Sequence, residues 1–254
     1  MKQYQNKKII IAILVILVFL TIFVFNIIRQ NKDDKESQKA ISQNIEKVAE
    51  FYQAQIPEIE SKIDALESGS GEPVSTGPNY RKIFENCAII GDSITEGLSA
   101  YQILGEEQVF TTIGASVMHN GELFTQAAGA YPKNAFFSFG MNDMGICSGN
   151  SDMFIDEYTK KLKAFRKASP KSKIYVSSIS TPSEEAIKSN EIYGKYTEFN
   201  SAIKKMCKDE NFIYIDNTSI LKSNPELYGG DGIHVDPAYY PVWLDLMAEK
   251  AGLK

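Results

Sequence analysis

Short apolar runs alternate with amphipathic stretches along the chain from residue 87 onward. The runs are rich in β-forming residues, and they lie at residues 87–90, 109–113, 135–139, 174–178 and 212–215. Amphipathic stretches with helical spacing lie between and after them, at residues 154–168, 193–209 and 238–253. Parallel strands need crossover connections, usually helices, so this alternation predicts a parallel sheet that is covered on both faces. We therefore expect an α/β domain over residues 81–254, a three-layer α/β/α sandwich with about five parallel strands.

The N-terminal part of the chain contains an apolar run of twenty residues, 9–28, in which Thr21 and Asn26 are the only polar members. As a helix, this run is long enough to cross the ~30 Å hydrocarbon layer of a membrane. It continues directly into Arg29 without a small-residue cleavage site, which favours an uncleaved signal anchor over a cleaved signal peptide. The run therefore predicts a transmembrane helix and a single-pass protein of the cell membrane.

The orientation in the membrane does not follow from the basic residues, because lysine and arginine occur on both sides of the apolar run. The N-terminal tail, residues 1–8, is very short, and every segment that is able to fold follows the run. We therefore expect the α/β domain on the extracellular side.

Residues 29–67 predict a helical stalk between the membrane and the α/β domain, because apolar residues recur in them at helical spacing. Pro57 interrupts the pattern, which favours two short helices over one continuous rod. The next residues, 68–80, have the glycine, serine and proline composition of a flexible linker. We interpret the stalk as a membrane-proximal spacer, and self-association through it is the alternative.

Charge and cysteine usage exclude several classes of partner and cofactor. The net charge is −5 and no cluster of basic residues occurs, which argues against nucleic acid as the main partner. The three cysteines, Cys87, Cys147 and Cys207, are widely spaced and include no CxxC pair, so they predict neither a zinc site nor a disulfide framework. We expect buried, reduced thiols, and the sequence implies no metal or organic cofactor.

Residues of nucleophilic, basic or hydrogen-bonding types follow the ends of several predicted strands. Ser93 follows the first strand, Gly114 the second and Asn142 the third, while Asp231 and His234 follow the fifth. Ligands of an open parallel sheet bind beyond the carboxyl ends of its strands, which share one edge. We therefore expect these five residues to meet at one site.

The types of these residues suit acyl transfer. A serine hydroxyl becomes a good nucleophile when a base removes its proton, and the unperturbed pKa of histidine, about 6.5, suits His234 to that task. Asp231 can hold the imidazole in the required tautomer. The backbone N–H groups of Ser93 and Gly114 and the side-chain amide of Asn142 can donate to a developing oxyanion. The sequence thus indicates a serine-dependent reaction.

Other polar residues near these positions favour structural roles. Asp92 lies beside a predicted turn, where aspartate usually bonds local backbone, and we interpret Asp143 and Asp236 in the same way. His119 is the rival base, since the chain has only two histidines, but it lacks an acid in a DxxH arrangement.

The blocks around these residues, in their order along the chain, resemble the SGNH or GDSL-type serine hydrolase family. They read GDSITEG at residues 91–97, a glycine at Gly114, GMND at residues 140–143 and DGIH at residues 231–234. The similarity spans roughly residues 83–243 and leaves the N-terminal segments unexplained. It implies a flavodoxin-like SGNH hydrolase fold. It also implies that Ser93 is the nucleophile, that His234 is the base and that Asp231 is the partner of the base. The oxyanion hole implied by the resemblance consists of Ser93, Gly114 and Asn142.

The same resemblance implies a carboxylic ester hydrolase, a serine esterase that forms an acyl-enzyme on Ser93. We expect short-chain esters, such as the O-acetyl esters of an acetylesterase substrate, on a small molecule, a carbohydrate or another cell-envelope glycan. Three alternatives stay open: an O-acyltransferase that moves an acetyl group to a cell-wall glycan, a lipase-like esterase or thioesterase, and an inactive scaffold or interaction protein. Substrate choice depends on the loops at residues 103–107, 145–152 and 182–193.

Overall fold

Five parallel strands form one sheet in residues 78–253, the part of the chain that the computed structural model describes. The strands are β1 (Cys87–Gly91), β2 (Val109–Thr111), β3 (Asn134–Ser138), β4 (Lys173–Ser177) and β5 (Ile213–Ile215). Their spatial order is β2-β1-β3-β4-β5. The chain runs outward from β1 to β2 and then returns past β1 to β3, so the order reverses between β1 and β3. In doubly wound sheets this switch point opens a crevice at the carboxyl ends of the strands.

Helices flank the sheet. In the described residues they are α1 (Tyr80–Ile83), α2 (Ser93–Ala100), α3 (Gly121–Gly129), α4 (Met141–Ile146), α5 (Ser151–Ala168), α6 (Glu184–Ser189), α7 (Tyr196–Glu210), α8 (Thr218–Ser223) and α9 (Tyr239–Ala251), with 3-10 turns at Glu191–Lys195 and Pro225–Leu227. Helices α3, α5 and α7 pack side by side as one layer. Helix α9 packs on α2 and α1. The Tyr240 hydroxyl of α9 donates to the carbonyl of Ile94 in α2 (3.0 Å), and the Tyr80 hydroxyl of α1 donates to Asp245 of α9 (2.8 Å).

The central strands are buried on both faces, as parallel strands in a three-layer fold must be. All five residues of β1 are buried. In β3, the ring of Phe136 stacks on Tyr175 of the neighbouring strand, with 4.7 Å between ring centroids. The next side chain, Phe137, points to the opposite face and packs on Phe124 of α3 (5.2 Å) and Phe165 of α5 (5.0 Å). Aromatic side chains are thus buried on both faces of β3, and Phe137 ties the layer of α3 and α5 to the sheet.

The predicted fold class is confirmed: the sheet is parallel, five-stranded and flanked by helices. Each strand begins and ends within two residues of its predicted bounds. The last predicted helix, 238–253, corresponds to α9, whereas the helix predicted at 154–168 begins earlier, because the Asn150 side chain caps it by accepting from the N–H groups of residues 152 and 153. Helices α3, α6 and α8 have only six to nine residues and were not predicted, since so few turns give little periodicity.

The predicted N-terminal tail, transmembrane helix and stalk, residues 1–67, lie outside the described residues, as does the linker up to residue 77. Among the helices of residues 78–253, none is both long and apolar enough to cross a membrane. All three cysteines lie within this range, and they are buried free thiols, as expected.

Two buried carboxyl groups hold the loops at the carboxyl edge of the sheet. Asp92, which is 4% exposed, accepts from the N–H of Ile94 (3.0 Å) and so caps α2. Asp143 of α4 is fully buried and accepts from the N–H of Met118 (3.3 Å), in the loop after β2. Burial, with a smaller contribution from the charge of Asp143, raises the pKa of Asp92 to about 7. Burial likewise raises the pKa of Asp143 to about 6, although backbone N–H groups lower it.

These pKa values imply that the fold is more stable in mild acid than at alkaline pH. An aspartate in an unfolded chain has a pKa of about 3.9, so the folded protein holds protons that the unfolded chain releases. The stabilisation is complete below about pH 4 and is lost as the pH rises through the folded values of about 6 and 7.

We expect the free energy of unfolding, measured by urea titration, to fall between pH 5 and pH 8. Asp143→Asn removes one of the two titrating carboxyls, and it should reduce that fall by roughly 1.4 kcal/mol. The matched control is Asp152→Asn, at an exposed aspartate in the first turn of α5, which should leave the pH dependence unchanged. The same pH slope in Asp143→Asn and in the unaltered protein would contradict this explanation.

Candidate active site

Ser93 lies where β1 turns into α2, at the carboxyl edge of the sheet. Residue 91 has to be glycine at this turn, because a Cβ there would lie 2.1 Å from the Thr95 hydroxyl oxygen and 2.5 Å from the carbonyl oxygen of Ser138. The Asp92 side chain then caps the helix, and Ser93 becomes its first residue, half-buried. The first N–H groups of a helix have no acceptor within it, so the N–H of Ser93 is available to a ligand.

A chain of two hydrogen bonds runs from Ser93 through His234 to Asp231. The Ser93 Oγ lies 3.0 Å from Nε2 of His234, and Nδ1 of His234 lies 2.6 Å from Oδ2 of Asp231. An ionised carboxylate only accepts, so Nδ1 carries the proton and Nε2 presents a lone pair to the serine hydroxyl. This is the arrangement that a general base requires.

The loop holds the Asp231 carboxylate in place. Its Oδ1 accepts from the backbone N–H groups of Ile233 and His234, each at 2.9 Å. Partial burial opposes the charged form, but the hydrogen bonds from the imidazole and from these two N–H groups outweigh it and lower the pKa of Asp231 below its usual value. The carboxylate is therefore ionised at neutral pH and stabilises a protonated His234.

Asn142 lies on the other side of Ser93, in the first turn of α4. Its side-chain Nδ2 donates to the carbonyl of Ala115 at 2.9 Å, which fixes the amide and leaves its second proton free to donate. The helix starts here because Gly140 has a φ of +129°, and a Cβ at that position would lie 2.5 Å from the Ile179 side chain. The glycine of the GMND block thus positions the amide two residues later.

The structure does not bring every predicted residue to the same place. Ser93, Asn142, Asp231 and His234 line one open cleft of about 220 Å³. Gly114 is not among its lining residues: it is exposed, in a turn with φ +71°, and is the neighbour of the residue whose carbonyl Asn142 binds.

Several lining residues were not identified from the sequence. The complete lining of the cleft is Asp92, Ser93, Ile94, Met141, Asn142, Ser189, Tyr193, Asp231, Ile233 and His234. Met141 and Ile233 adjoin motif residues, so sequence position alone could have suggested them. Ser189 and Tyr193 come from a predicted loop that carries no motif, and only the tertiary structure brings them to the site.

The remaining candidates are placed as follows. His119 is exposed and its backbone N–H donates to the Ser116 hydroxyl at 3.1 Å, whereas His234 is the histidine that is bonded to Ser93. Asp236 accepts from the N–H of Ala238 at 2.9 Å, a local backbone contact as predicted. Within residues 78–253, no group of three or more histidine, cysteine, aspartate or glutamate side chains is arranged to hold a metal ion.

Comparison with solved structures identifies the same fold in other proteins. A GDSL-like lipase from Bacteroides thetaiotaomicron is 17% identical over 75% of this chain and 97% of its own, with a TM-score of 0.52. A Parabacteroides merdae protein assigned as a GDSL-like lipase is 20% identical over 66% of this chain and 97% of its own (TM-score 0.53). An acetyl xylan esterase is 20% identical over 64% of this chain and 98% of its own (TM-score 0.51). Likeness at these identities concerns the fold alone.

The sequence itself carries the family assignment. No curated protein matches the chain at a significant level. The model of the GDSL-like lipase/acylhydrolase family, however, matches residues 89–241, which is more than half of the chain and includes Ser93, Asn142, Asp231 and His234. The chain belongs to the GDSL-like lipase/acylhydrolase family and is a hydrolase of ester bonds.

Proposed function

We propose that this hydrolase is a serine esterase that removes short acyl groups, such as acetyl, from a carbohydrate or another cell-envelope substrate. The observation that carries the proposal is the continuous hydrogen-bond chain from the Ser93 hydroxyl through His234 to Asp231, at 3.0 Å and 2.6 Å. These distances are within the reach that general-base catalysis needs.

In the proposed first step, Nε2 of His234 accepts the hydroxyl proton while Oγ of Ser93 attacks the ester carbonyl carbon. The carbonyl oxygen becomes negative and accepts from the N–H of Ser93 and from Nδ2 of Asn142. Gly114, which lies outside the cleft, has no part in this step. The intermediate collapses when protonated His234 gives its proton to the leaving alcohol oxygen. This step leaves the acyl group on Ser93.

In the second step, water replaces the alcohol. His234 removes a proton from the water as it attacks the acyl-enzyme, and then returns a proton to the Ser93 oxygen. The carboxylate of Asp231 stabilises the imidazolium in both steps, and it is not itself protonated. The products are the free acid and the regenerated serine.

The dimensions of the cleft support a short acyl group. Its volume is about 220 Å³, and the apolar side chains of Ile94, Met141 and Ile233 contribute to its walls. A small, partly apolar space accepts a methyl group readily. The fold also accommodates carbohydrate esters, since an acetyl xylan esterase shares it.

An O-acyltransferase is the second candidate function. The imidazole of His234 is about half exposed, with 54% of its side-chain surface accessible, so a sugar hydroxyl can approach it as water can. The same residues would then pass the acyl group to a glycan. The two activities differ in the product that they form from an activated ester. A hydrolase releases the acyl group as the free acid, whereas a transferase attaches it to the acceptor.

We propose further that residues 9–28 anchor the protein in the cell membrane, with the hydrolase domain on the extracellular side. This part of the proposal rests on the length and composition of the apolar run. It gives the esterase direct access to acylated glycans of the cell envelope.

Ser93→Ala should lower kcat/KM for p-nitrophenyl acetate by about 10⁴-fold or more, because the acyl-enzyme cannot form. The matched control is Ser99→Ala, in the same helix, whose hydroxyl donates only to the carbonyl of Glu96 (3.1 Å). The control should retain activity within about twofold. Unchanged turnover in Ser93→Ala, with the unfolding midpoint also unchanged, would show that another residue is the nucleophile.

Asp231→Asn should lower kcat by roughly 10²- to 10⁴-fold without unfolding the loop. The asparagine Oδ1 can still accept from the two backbone N–H groups, but its amide N–H would face Nδ1 of His234 and force the proton onto Nε2. An imidazole with its proton on Nε2 cannot accept the proton of Ser93. Steady-state kinetics measure this effect, and Asp236→Asn is the control. Equal activities of the two variants would show that Asp231 has no role in the mechanism.

A further inference from the structure

A second and larger groove adjoins the candidate active site. Its volume is about 820 Å³, within the ~300–1,000 Å³ range of typical ligand pockets. Residues 181–189 form one wall, residues 221–232 form the other, and Tyr196 also lines it. We call it the outer groove. Ser189 and Asp231 line both the outer groove and the catalytic cleft, so the two spaces meet at the acid of the catalytic loop.

Direct hydrogen bonds join the two walls of the outer groove. The backbone N–H of Ser183 donates to the carbonyl of Gly232 at 2.9 Å, and the Tyr228 hydroxyl donates to the carbonyl of Thr181 at 2.9 Å. Residue 228 also forms a β-bridge with Val235, beside the catalytic histidine. The groove is therefore preformed, and a ligand binds without a large cost of ordering it.

Aromatic and charged side chains converge inside the outer groove. Tyr196 and Tyr228 are both half-buried, and Nζ of Lys222 lies 5.8 Å from the ring centroid of Tyr196. Burial raises the pKa of the Tyr228 hydroxyl, and the charges of Tyr196 and Glu185 raise it further. Glu184 and Glu185 are exposed on the opposite wall.

This lining fits an amphipathic ligand that is rich in hydroxyl groups. Tyrosine rings offer a flat apolar face with a polar rim, and carboxylates accept from hydroxyl donors. Glu184 pairs with Lys188 at 3.7 Å, but an acyl chain would offer no partner to the carboxylate of Glu185 or the ammonium of Lys222 in a dry contact. A polyanion would be repelled by the carboxylates of Glu184, Glu185 and Asp231. A glycan chain has both apolar C–H faces and many hydroxyls, and it satisfies both kinds of lining.

We propose that the outer groove binds an uncharged glycan chain, the alcohol part of the ester, with Tyr196 as the stacking platform and Glu185 as a hydrogen-bond acceptor. The ester group at the end of the bound segment then lies in the cleft at Ser93. The assignment rests on the esterase function proposed above and adds to it the surface that selects the substrate.

Comparing two substrates tests the assignment, because they differ in the part that reaches the groove. p-Nitrophenyl acetate needs only the catalytic cleft, whereas acetylated xylotetraose also reaches the outer groove. Tyr196→Ala should lower the ratio of kcat/KM for acetylated xylotetraose to that for p-nitrophenyl acetate by about 5- to 10-fold, mostly through KM. Glu185→Ala should lower the same ratio by about threefold. Because it removes an exposed side chain, this variant still tests the groove if Tyr196→Ala folds poorly.

Matched controls separate the groove from general surface effects. Tyr131→Ala removes a tyrosine that is 74% exposed and lies outside the groove, and Glu85→Ala removes an exposed glutamate that precedes β1. Both should leave the ratio unchanged. Unacetylated xylotetraose should compete with the acetylated form in the unaltered protein and compete several-fold less well in Tyr196→Ala.

The outcomes distinguish the two levels of the proposal. If the unaltered protein hydrolyses both substrates in a Ser93-dependent way but neither Tyr196→Ala nor Glu185→Ala changes the ratio, the groove assignment fails and the esterase function stands. Competition by a tryptic digest of casein, with none by xylotetraose, would replace the glycan with a peptide and overturn the assignment. If the unaltered protein hydrolyses neither substrate, the esterase proposal itself fails.

Discussion

The parallel pairing of β1 with β3 positions the rest of the site. Their register aligns Gly91 with Ser138, so the two strands end at the same level of the sheet. The chain leaves β1 into the turn that presents Ser93, and it leaves β3 into the turn that presents Asn142. Because β2 lies on the far side of β1, the connections diverge at this point and open the crevice in which both side chains lie. Burial of Phe136 and Phe137 on opposite faces of β3 makes that pairing rigid.

The loops beyond the strands are held by buried polar contacts whose stability depends on pH. Asp92 caps the helix that carries Ser93, and Asp143 ties the loop after β2 to the helix that carries Asn142. Both carboxyls lose stabilisation when they ionise, whereas the exposed Asp231 has to be ionised to support His234. Two carboxyl groups near the site are thus favoured in the protonated form and one in the ionised form. The difference in their burial separates their pKa values.

Much of this arrangement follows from the sequence, and the reasons are local. The strands were predictable because each is a short apolar run of β-forming residues with clear ends, and the four blocks follow strand ends, where a parallel sheet collects its functional residues. The exposed turn of Gly114 could not be derived, since a glycine at a strand end has no side chain whose type indicates where it points. Residues 182–193 were expected to influence substrate choice. The positions of Ser189 and Tyr193 in the cleft, and the outer groove itself, could not be derived, because these residues and residues 221–232 meet only in the folded chain. The membrane anchor stays a prediction from residues 9–28.

We propose separate tasks for the two spaces, acyl transfer in the cleft at Ser93 and selection of the alcohol in the outer groove. Both tasks depend on Ser93 as the nucleophile. The most direct measurement is labelling with a fluorophosphonate, followed by peptide mapping by mass spectrometry and an esterase assay of the same samples. We expect one phosphonate per molecule, on Ser93, with activity lost in proportion to labelling. Full activity after complete labelling of Ser93, or inactivation through a label on another residue, would contradict this expectation.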